Sequence, residues 1–129
     1  MNSLTMSSGV WSGLSPLIRN SWRRCAEQHG IATDTPLSTD ILCSAELRQA
    51  RERMGVTMKI ADPELDRLHG IVSTLDYNVL LADPAGIVVA RRGAPLFEKG
   101  CRRWHLWPGA NWAEAVAGTN GIGTCLVEG

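Results

Sequence analysis

The sequence predicts an α+β fold, in which helices fill the first half of the chain and an antiparallel sheet begins in the second. Apolar residues recur every three or four positions as far as Leu75, which is the period of an amphipathic helix. After Tyr77 they form two short continuous runs separated by a proline- and glycine-containing turn, which is typical of strands. Helices followed by strands, without regular alternation, favour the α+β class.

Composition limits the classes of function. The 129 residues suit one domain, with 44% apolar and 20% charged residues. Thirteen basic residues balance thirteen acidic ones, which argues against nucleic acid or an anionic membrane as a partner. The close arginine pairs, such as Arg23-Arg24 and Arg102-Arg103, are interpreted as solvated surface. No apolar run could span a membrane, residues 1–13 lack the pattern of a secretory signal, and the four cysteines lack a C-x-x-C pair, so we expect a cytoplasmic protein with reduced thiols.

The first predicted helix follows a leader, residues 1–13, whose composition indicates flexibility. Ser15 as the cap and Pro16 at the first helical position predict its start, and Gly30 predicts its end. The apolar residues between them share one helical face: Leu14, Ile18, Trp22, Cys25 and Ala26.

Two more helices are predicted after a linker at residues 33–39. The second covers about Ser44–Met54 and stops at Gly55, and Asp62-Pro63 predicts the start of a third. The third helix carries a stripe with the spacing of a coiled-coil seam. Packing on the sheet is the favoured interpretation and a homodimer seam is the alternative for this stripe: Leu65, Leu68, Val72 and Leu75.

A β-hairpin is predicted from Val79–Ala82 and Ile87–Ala90, because Asp83-Pro-Ala-Gly86 has the residues of a tight turn. The segment Pro95–Trp107 is predicted to be helical or irregular. Since an isolated hairpin is marginal in water, we expect more strands than this chain supplies.

The glycine-rich block Ala117–Thr124 is the most informative motif. It lacks the lysine of a phosphate-binding P-loop and does not follow a strand, as a dinucleotide-binding fingerprint would. We therefore interpret Gly118, Gly121 and Gly123 as a tight turn into a helix, with free N–H groups where the helix begins.

Metal and cofactor sites are not predicted. Cys25 and His29 share a helical face, but zinc needs further ligands that the sequence does not offer. Cys101 and His105 lack the orienting partner of a catalytic thiol. The tryptophans Trp104, Trp107 and Trp112 are equally compatible with a ligand pocket, a core and a partner surface.

Three segments in order resemble one family, the bacterial sigma-54-dependent activators of acetoin and glycerol catabolism. Ser21-Trp-Arg-Arg-Cys25 resembles the family's opening helix, and Val79–Val89 its hairpin. Asn111-Trp-Ala-Glu114 with Ala117–Thr124 is similar to its "W-E…GTN-IGT" block. Together they cover about residues 15 to 129.

The resemblance implies a GAF-like sensory domain, a central antiparallel sheet flanked by helices, over residues 14–129. We expect the chain to lack an ATPase and a DNA-binding module, and the sheet to be incomplete. A small metabolite or a regulatory protein would be the effector. The predicted effector-pocket residues are Trp107, Trp112, Glu114, Thr119 and Asn120. The alternative is a thiol-dependent enzyme that reduces methionine sulfoxide, which would need Cys101 and Cys125 as an accessible pair.

Overall fold

A computed structural model describes residues 13–32, 35 and 41–129. The predicted leader, apart from Gly13, and the predicted linker, apart from Thr35, lie outside the described residues. The described chain forms two compact units. We call them the terminal unit (residues 13–35 as described, with 112–129) and the hairpin unit (residues 41–111).

The α+β prediction is confirmed, since the described residues form six α-helices and one two-stranded antiparallel sheet. Short 3-10 turns cover Ser73–Leu75 and Pro95–Phe97. The elements in chain order are α1 (Pro16–Glu27), α2 (Ser44–Met54), α3 (Val56–Val72), β1 (Val79–Ala82), β2 (Val88–Arg92), α4 (Glu98–Arg103), α5 (Glu114–Ala117) and α6 (Gly123–Glu128). Within the described part of the chain, no helix is long and apolar enough to cross a membrane.

Helix α1 begins and ends where its sequence predicts. Ser15 Oγ accepts a hydrogen bond from the Ile18 N–H at 3.3 Å, and Pro16 takes the first helical position. Gly30 is left-handed, with φ of 65°, and the N–H of the next residue, Ile31, returns to the Cys25 carbonyl at 2.8 Å. The predicted face is half-buried or buried along its length. Ser21 lies on this face as well and is fully buried.

The predicted hairpin is confirmed in the hairpin unit. Strands β1 and β2 pair antiparallel, with an irregularity between Leu81 and Ala82. Asp83 fixes the turn, because its Oδ1 accepts the N–H groups of Ala85 at 3.0 Å and Ile87 at 2.9 Å, while Gly86 takes a φ of 90°. The unit's buried core joins α2 to β2, with Ala50, Ile87 and Val89 at its centre.

The predicted start of the third helix at Asp62-Pro63 is wrong. Helix α3 begins at Val56, directly after the left-handed Gly55, and contains Pro63 in its interior. Because proline has no backbone N–H group, one helical hydrogen bond is missing at Pro63. The earlier turns of the helix are nevertheless retained, since Met58 packs against the core. Asp62 does not cap a helix but binds Arg92 on β2, together with Asp66 one turn later.

The predicted seam on α3 divides between two environments. Leu65 is buried, Val72 is half-buried, and Leu68 and Leu75 are exposed. Because Leu65 is buried, it is not available to a partner in this conformation. A homodimer through the remaining stripe stays a prediction.

Candidate functional site

A buried carboxylate, Glu114, organises the terminal unit. Its Oε1 accepts Arg24 Nε at 2.7 Å, and its Oε2 accepts Arg24 Nη2 at 3.1 Å, which makes the pair bidentate. Ser21 Oγ and Thr124 Oγ1 donate to the same Oε2 at 2.7 and 2.9 Å. Glu114 itself is only 2% exposed. With Thr119, which binds Ser21, these residues form what we call the Glu114 cluster: Ser21, Arg24, Glu114, Thr119 and Thr124.

The direction of the hydrogen bonds follows from the number of protons available. Ser21 gives its single hydroxyl proton to Glu114, so Thr119, whose Oγ1 lies 2.6 Å from Ser21 Oγ, must donate to Ser21. Thr124 gives its proton to Glu114 and accepts the Asn120 backbone N–H at 3.1 Å. The cluster therefore links α1 to α5, α6 and the loop between them in one chain of hydrogen bonds.

The cluster determines the ionisation of Glu114. Burial raises the pKa of this carboxyl group, but the hydrogen bonds from Arg24, Ser21 and Thr124 together outweigh burial and lower the pKa to about 2. The same pairing, with Glu128 on the outer side, raises the pKa of Arg24 above its ordinary value. Glu114 and Arg24 are thus a charged pair throughout the physiological range.

The low pKa predicts a loss of stability in acid. A carboxylate whose pKa falls from about 4.5 to about 2 on folding contributes roughly 3 kcal/mol of stability above the unfolded pKa. That contribution disappears as the pH falls from about 4.5 towards 2. The free energy of unfolding, measured with urea across this pH range, should decline. In the Glu114→Gln variant it should decline less, because the carboxyl group that titrates has been removed. If the free energy of unfolding fell equally with pH in the two proteins, the loss of stability in acid would not be due to Glu114.

Asn120 holds the glycine-rich block in shape. Its Oδ1 accepts the N–H groups of Ile122 and Gly123, both at 2.9 Å, and its Nδ2 donates to the carbonyls of Trp112 and Gly118, both at 2.8 Å. The expectation of free N–H groups at the helix start is therefore wrong for these two, because the Asn120 side chain occupies them. The interpretation of the block as a tight turn into a helix agrees with the geometry, since α6 begins at Gly123.

Gly123 is required by close approach of the backbone. A Cβ atom at this position would overlap the Trp112 carbonyl oxygen and the Glu114 nitrogen, and would lie 2.9 Å from the Ala113 carbonyl carbon. All three are main-chain atoms of the segment that carries Glu114. The absence of a side chain at Gly123 thus allows α6 to lie against the start of α5.

A cavity of about 230 Å³ lies beside the cluster in the terminal unit. Its wall combines aromatic, aliphatic and hydroxyl groups, and Thr119 belongs to both the cavity and the cluster. Cys25 also faces it and is buried, with Sγ 3.7 Å from Thr119 Oγ1. The residues lining the cavity are Trp22, Cys25, Ile31, Ala32, Thr35, Ala117, Gly118 and Thr119.

The predicted pocket residues fall in different places. Thr119 lines the cavity, Glu114 lies in the cluster, and Asn120 and the Trp112 carbonyl form the turn. Asn120 also lines, with Thr119, an open and largely apolar groove next to α6. Trp107 belongs to the hairpin unit, where its ring is flanked by two arginines.

The predicted thiol pair lacks the exposure that its chemistry needs. Cys125 is exposed, but Cys101 is buried in the hairpin unit and accepts a contact from Arg91 Nη2 at 3.5 Å. A redox thiol must be reached by its oxidant. Among residues 13–32, 35 and 41–129, no three side chains of metal-binding type cluster together.

The sequence did not lead us to predict three members of the cluster as site residues: Ser21, Arg24 and Thr124. The available signal was a polar residue, Ser21, on the apolar face of a predicted helix, which a buried partner would explain. The interpretation of Arg23-Arg24 as solvated surface holds for exposed Arg23 and is wrong for Arg24, whose side chain is 22% exposed.

Comparison with known proteins finds curated transcriptional regulators with similar sequences, while the chain matches no protein-family profile. The acetoin catabolism regulatory protein of Cupriavidus necator is 38% identical over 113 residues, which covers 88% of this chain and 17% of the relative. The acetoin dehydrogenase operon transcriptional activator AcoR of Bacillus subtilis is 32% identical over 111 residues, covering 84% of this chain and 18% of the relative. The chain thus spans less than a fifth of either regulator.

The fold is shared with a chain of a solved complex. The crystal structure of the E. coli DhaR(N)–DhaL complex contains a chain that superposes with a TM-score of 0.78 at 17% identity, covering 89% of this chain and 38% of that one. At this identity the likeness concerns the fold alone. The sequence matches confirm the resemblance: the chain belongs with the transcriptional regulators of acetoin catabolism, as the homologue of one segment of them.

Proposed function

We propose that this chain is the effector-receiving, GAF-like sensory region of a cytoplasmic bacterial transcriptional regulator, and that the cavity beside Thr119 receives a small metabolite. The observation that carries the proposal is the double role of Thr119, which lines the cavity and donates to Ser21 in the Glu114 cluster. A ligand in the cavity would therefore act on a hydrogen-bond chain that joins three helices.

The chemistry of the wall suits a small molecule with both polar and apolar groups. Trp22 and Ile31 offer apolar contact, and the Thr119 hydroxyl offers a donor and an acceptor. A ligand carbonyl that accepts the Thr119 proton would compete with Ser21 for it. Binding would then favour one arrangement of the cluster over another, which is the differential affinity that any effector needs.

Acetoin is the first ligand to test, because it combines a carbonyl, a hydroxyl and two methyl groups and because two relatives carry acetoin in their names. Binding at about one hundred times the dissociation constant should raise the free energy of unfolding by roughly 2.7 kcal/mol. Calorimetric titration and urea unfolding with and without acetoin would measure both quantities.

Two alanines on α5 supply a matched pair of variants. Ala117 lines the cavity and Ala115 is exposed, so Ala117→Leu fills the cavity while Ala115→Leu places the same side chain in solvent. Leucine is nearly as good a helix former as alanine. We expect Ala117→Leu to weaken acetoin binding at least about tenfold and Ala115→Leu to leave it unchanged. Equal binding by the two variants, or none by the parent chain, would reject acetoin at this cavity.

A regulatory protein is the second class of effector. DhaR(N), which shares the fold, was crystallised in complex with DhaL. The relatives that match the sequence are regulators, which favours a non-enzymatic role for this chain as well. A protein effector would bind an exposed surface and would leave the Ala117→Leu variant fully responsive.

A further inference from the structure

The hairpin unit carries a surface built from arginine and tryptophan, which is exposed at Arg102, Arg103 and Trp104 and half-buried elsewhere. The guanidinium carbon of Arg102 lies 4.3 Å from the Trp107 ring centroid, and that of Arg91 lies 5.2 Å from it. Arg103 lies 6.0 Å from the ring of Trp104. These contacts are cation–π interactions, which hold each guanidinium against an aromatic ring without neutralising its charge. We call these five residues the arginine–tryptophan surface.

The positive charge of this surface is uncompensated in the described part of the chain. The ion pairs found there involve Arg24, Arg67 and Arg92, and none involves the three arginines of the surface. The neighbouring Arg92 differs, because Asp62 and Asp66 both bind it. Arg91 is instead held by the Asn78 Oδ1 at 2.6 Å, a neutral acceptor.

The surface also exposes a large aromatic group. Trp104 is 65% exposed, and Arg102 and Arg103 beside it are exposed as well. Tryptophan and arginine are the residue types that most often dominate the binding energy of protein interfaces. Arginine guanidinium groups bind carboxylates through paired hydrogen bonds, which adds geometric selection to charge attraction.

We propose that the arginine–tryptophan surface docks an acidic segment of a partner protein, with carboxylates on Arg102 and Arg103 and an apolar side chain on Trp104. We choose an acidic partner because its negative charge complements the positive charge of these arginines. Nucleic acid is the less favoured occupant, since the whole chain has no net charge and this surface contains three arginines. The inference goes beyond the proposed effector cavity, which lies in the other unit and does not need this surface.

The test uses a fluorescein-labelled, glutamate-rich peptide and the same peptide with glutamine at every glutamate position. Fluorescence anisotropy should show binding of the acidic peptide alone, and salt should weaken it. Arg102→Gln and Trp104→Ala should each weaken binding at least about fivefold. The matched control is Arg53→Gln, which removes one exposed positive charge from α2 in the same unit.

Each outcome of this test either supports or overturns the proposal. Selective loss in the two surface variants, with Arg53→Gln unaffected, supports the proposal. Absence of binding by the parent chain, equal binding of the glutamine peptide, or equal weakening by Arg53→Gln would overturn it. Tighter binding of a labelled DNA duplex through the same residues would replace the acidic protein by nucleic acid. None of these results changes acetoin binding at the cavity, so the two proposals fail independently.

Discussion

Gly123→Ala is expected to destabilise the terminal unit by about 3 kcal/mol. The added methyl group would overlap main-chain atoms of Trp112, Ala113 and Glu114. Backbone cannot rotate away as a flexible side chain can, so α6 or the start of α5 must move. Such movement would also displace Thr124, which donates to Glu114 at 2.9 Å.

The matched control for this variant lies two residues away. Gly121 is exposed, and a Cβ atom built there meets nothing within 4 Å. Gly121→Ala should change stability by less than about 1 kcal/mol. Urea unfolding would compare the two variants, and hydrogen exchange of the Leu126 amide, which bonds the Ile122 carbonyl at 3.1 Å, would report on α6 itself. Similar effects at both glycines would contradict the close approach at Gly123.

Local signals in the sequence were sufficient for several elements. The Ser15-Pro16 start of α1 and the Asp83–Gly86 turn are encoded by neighbouring residues, because caps and turns are closed by hydrogen bonds over three or four positions. The end of α2 before Gly55 is likewise encoded by a neighbouring residue.

Pro63 shows where a local signal fails. Asp-Pro is a good helix start, yet α3 continues through it because packing of Met58 on the core holds the preceding turns. A tertiary contact of this kind cannot be predicted from the residues next to Pro63 in the sequence.

The Glu114 cluster could be predicted only in part, for a related reason. Glu114, Thr119 and Asn120 were chosen because they lie in one recognisable motif, whereas Ser21 and Arg24 precede Glu114 by 93 and 90 residues. No periodicity links residues that far apart. Trp107 was grouped with Trp112 by proximity in sequence, but the two tryptophans belong to different units.

The two carboxylates on Arg24 should differ sharply in their energetic importance. Glu114→Gln is expected to cost about 3 kcal/mol, since a buried pair loses one charge and the new amide N–H groups face hydroxyls that already donate. Glu128 Oε1 accepts Arg24 Nη1 at the same 2.7 Å, but its side chain is 27% exposed against 1% for Glu114. Glu128→Gln should therefore cost less than about 1 kcal/mol. Urea unfolding at pH 7 would measure both.

The double variant Arg24→Gln with Glu114→Gln identifies the origin of that cost. If Glu114→Gln is destabilising because Arg24 keeps an uncompensated charge, removing both charges should cost less than the sum of the two single substitutions. Additive costs would mean that the hydroxyl contacts of Ser21 and Thr124, rather than the charge pair, hold the cluster. Equal costs for Glu114→Gln and Glu128→Gln would show that burial does not strengthen the inner contact. Equal costs of this kind would remove the basis for treating the Glu114 cluster as the element through which a ligand at Thr119 acts on α1, α5 and α6.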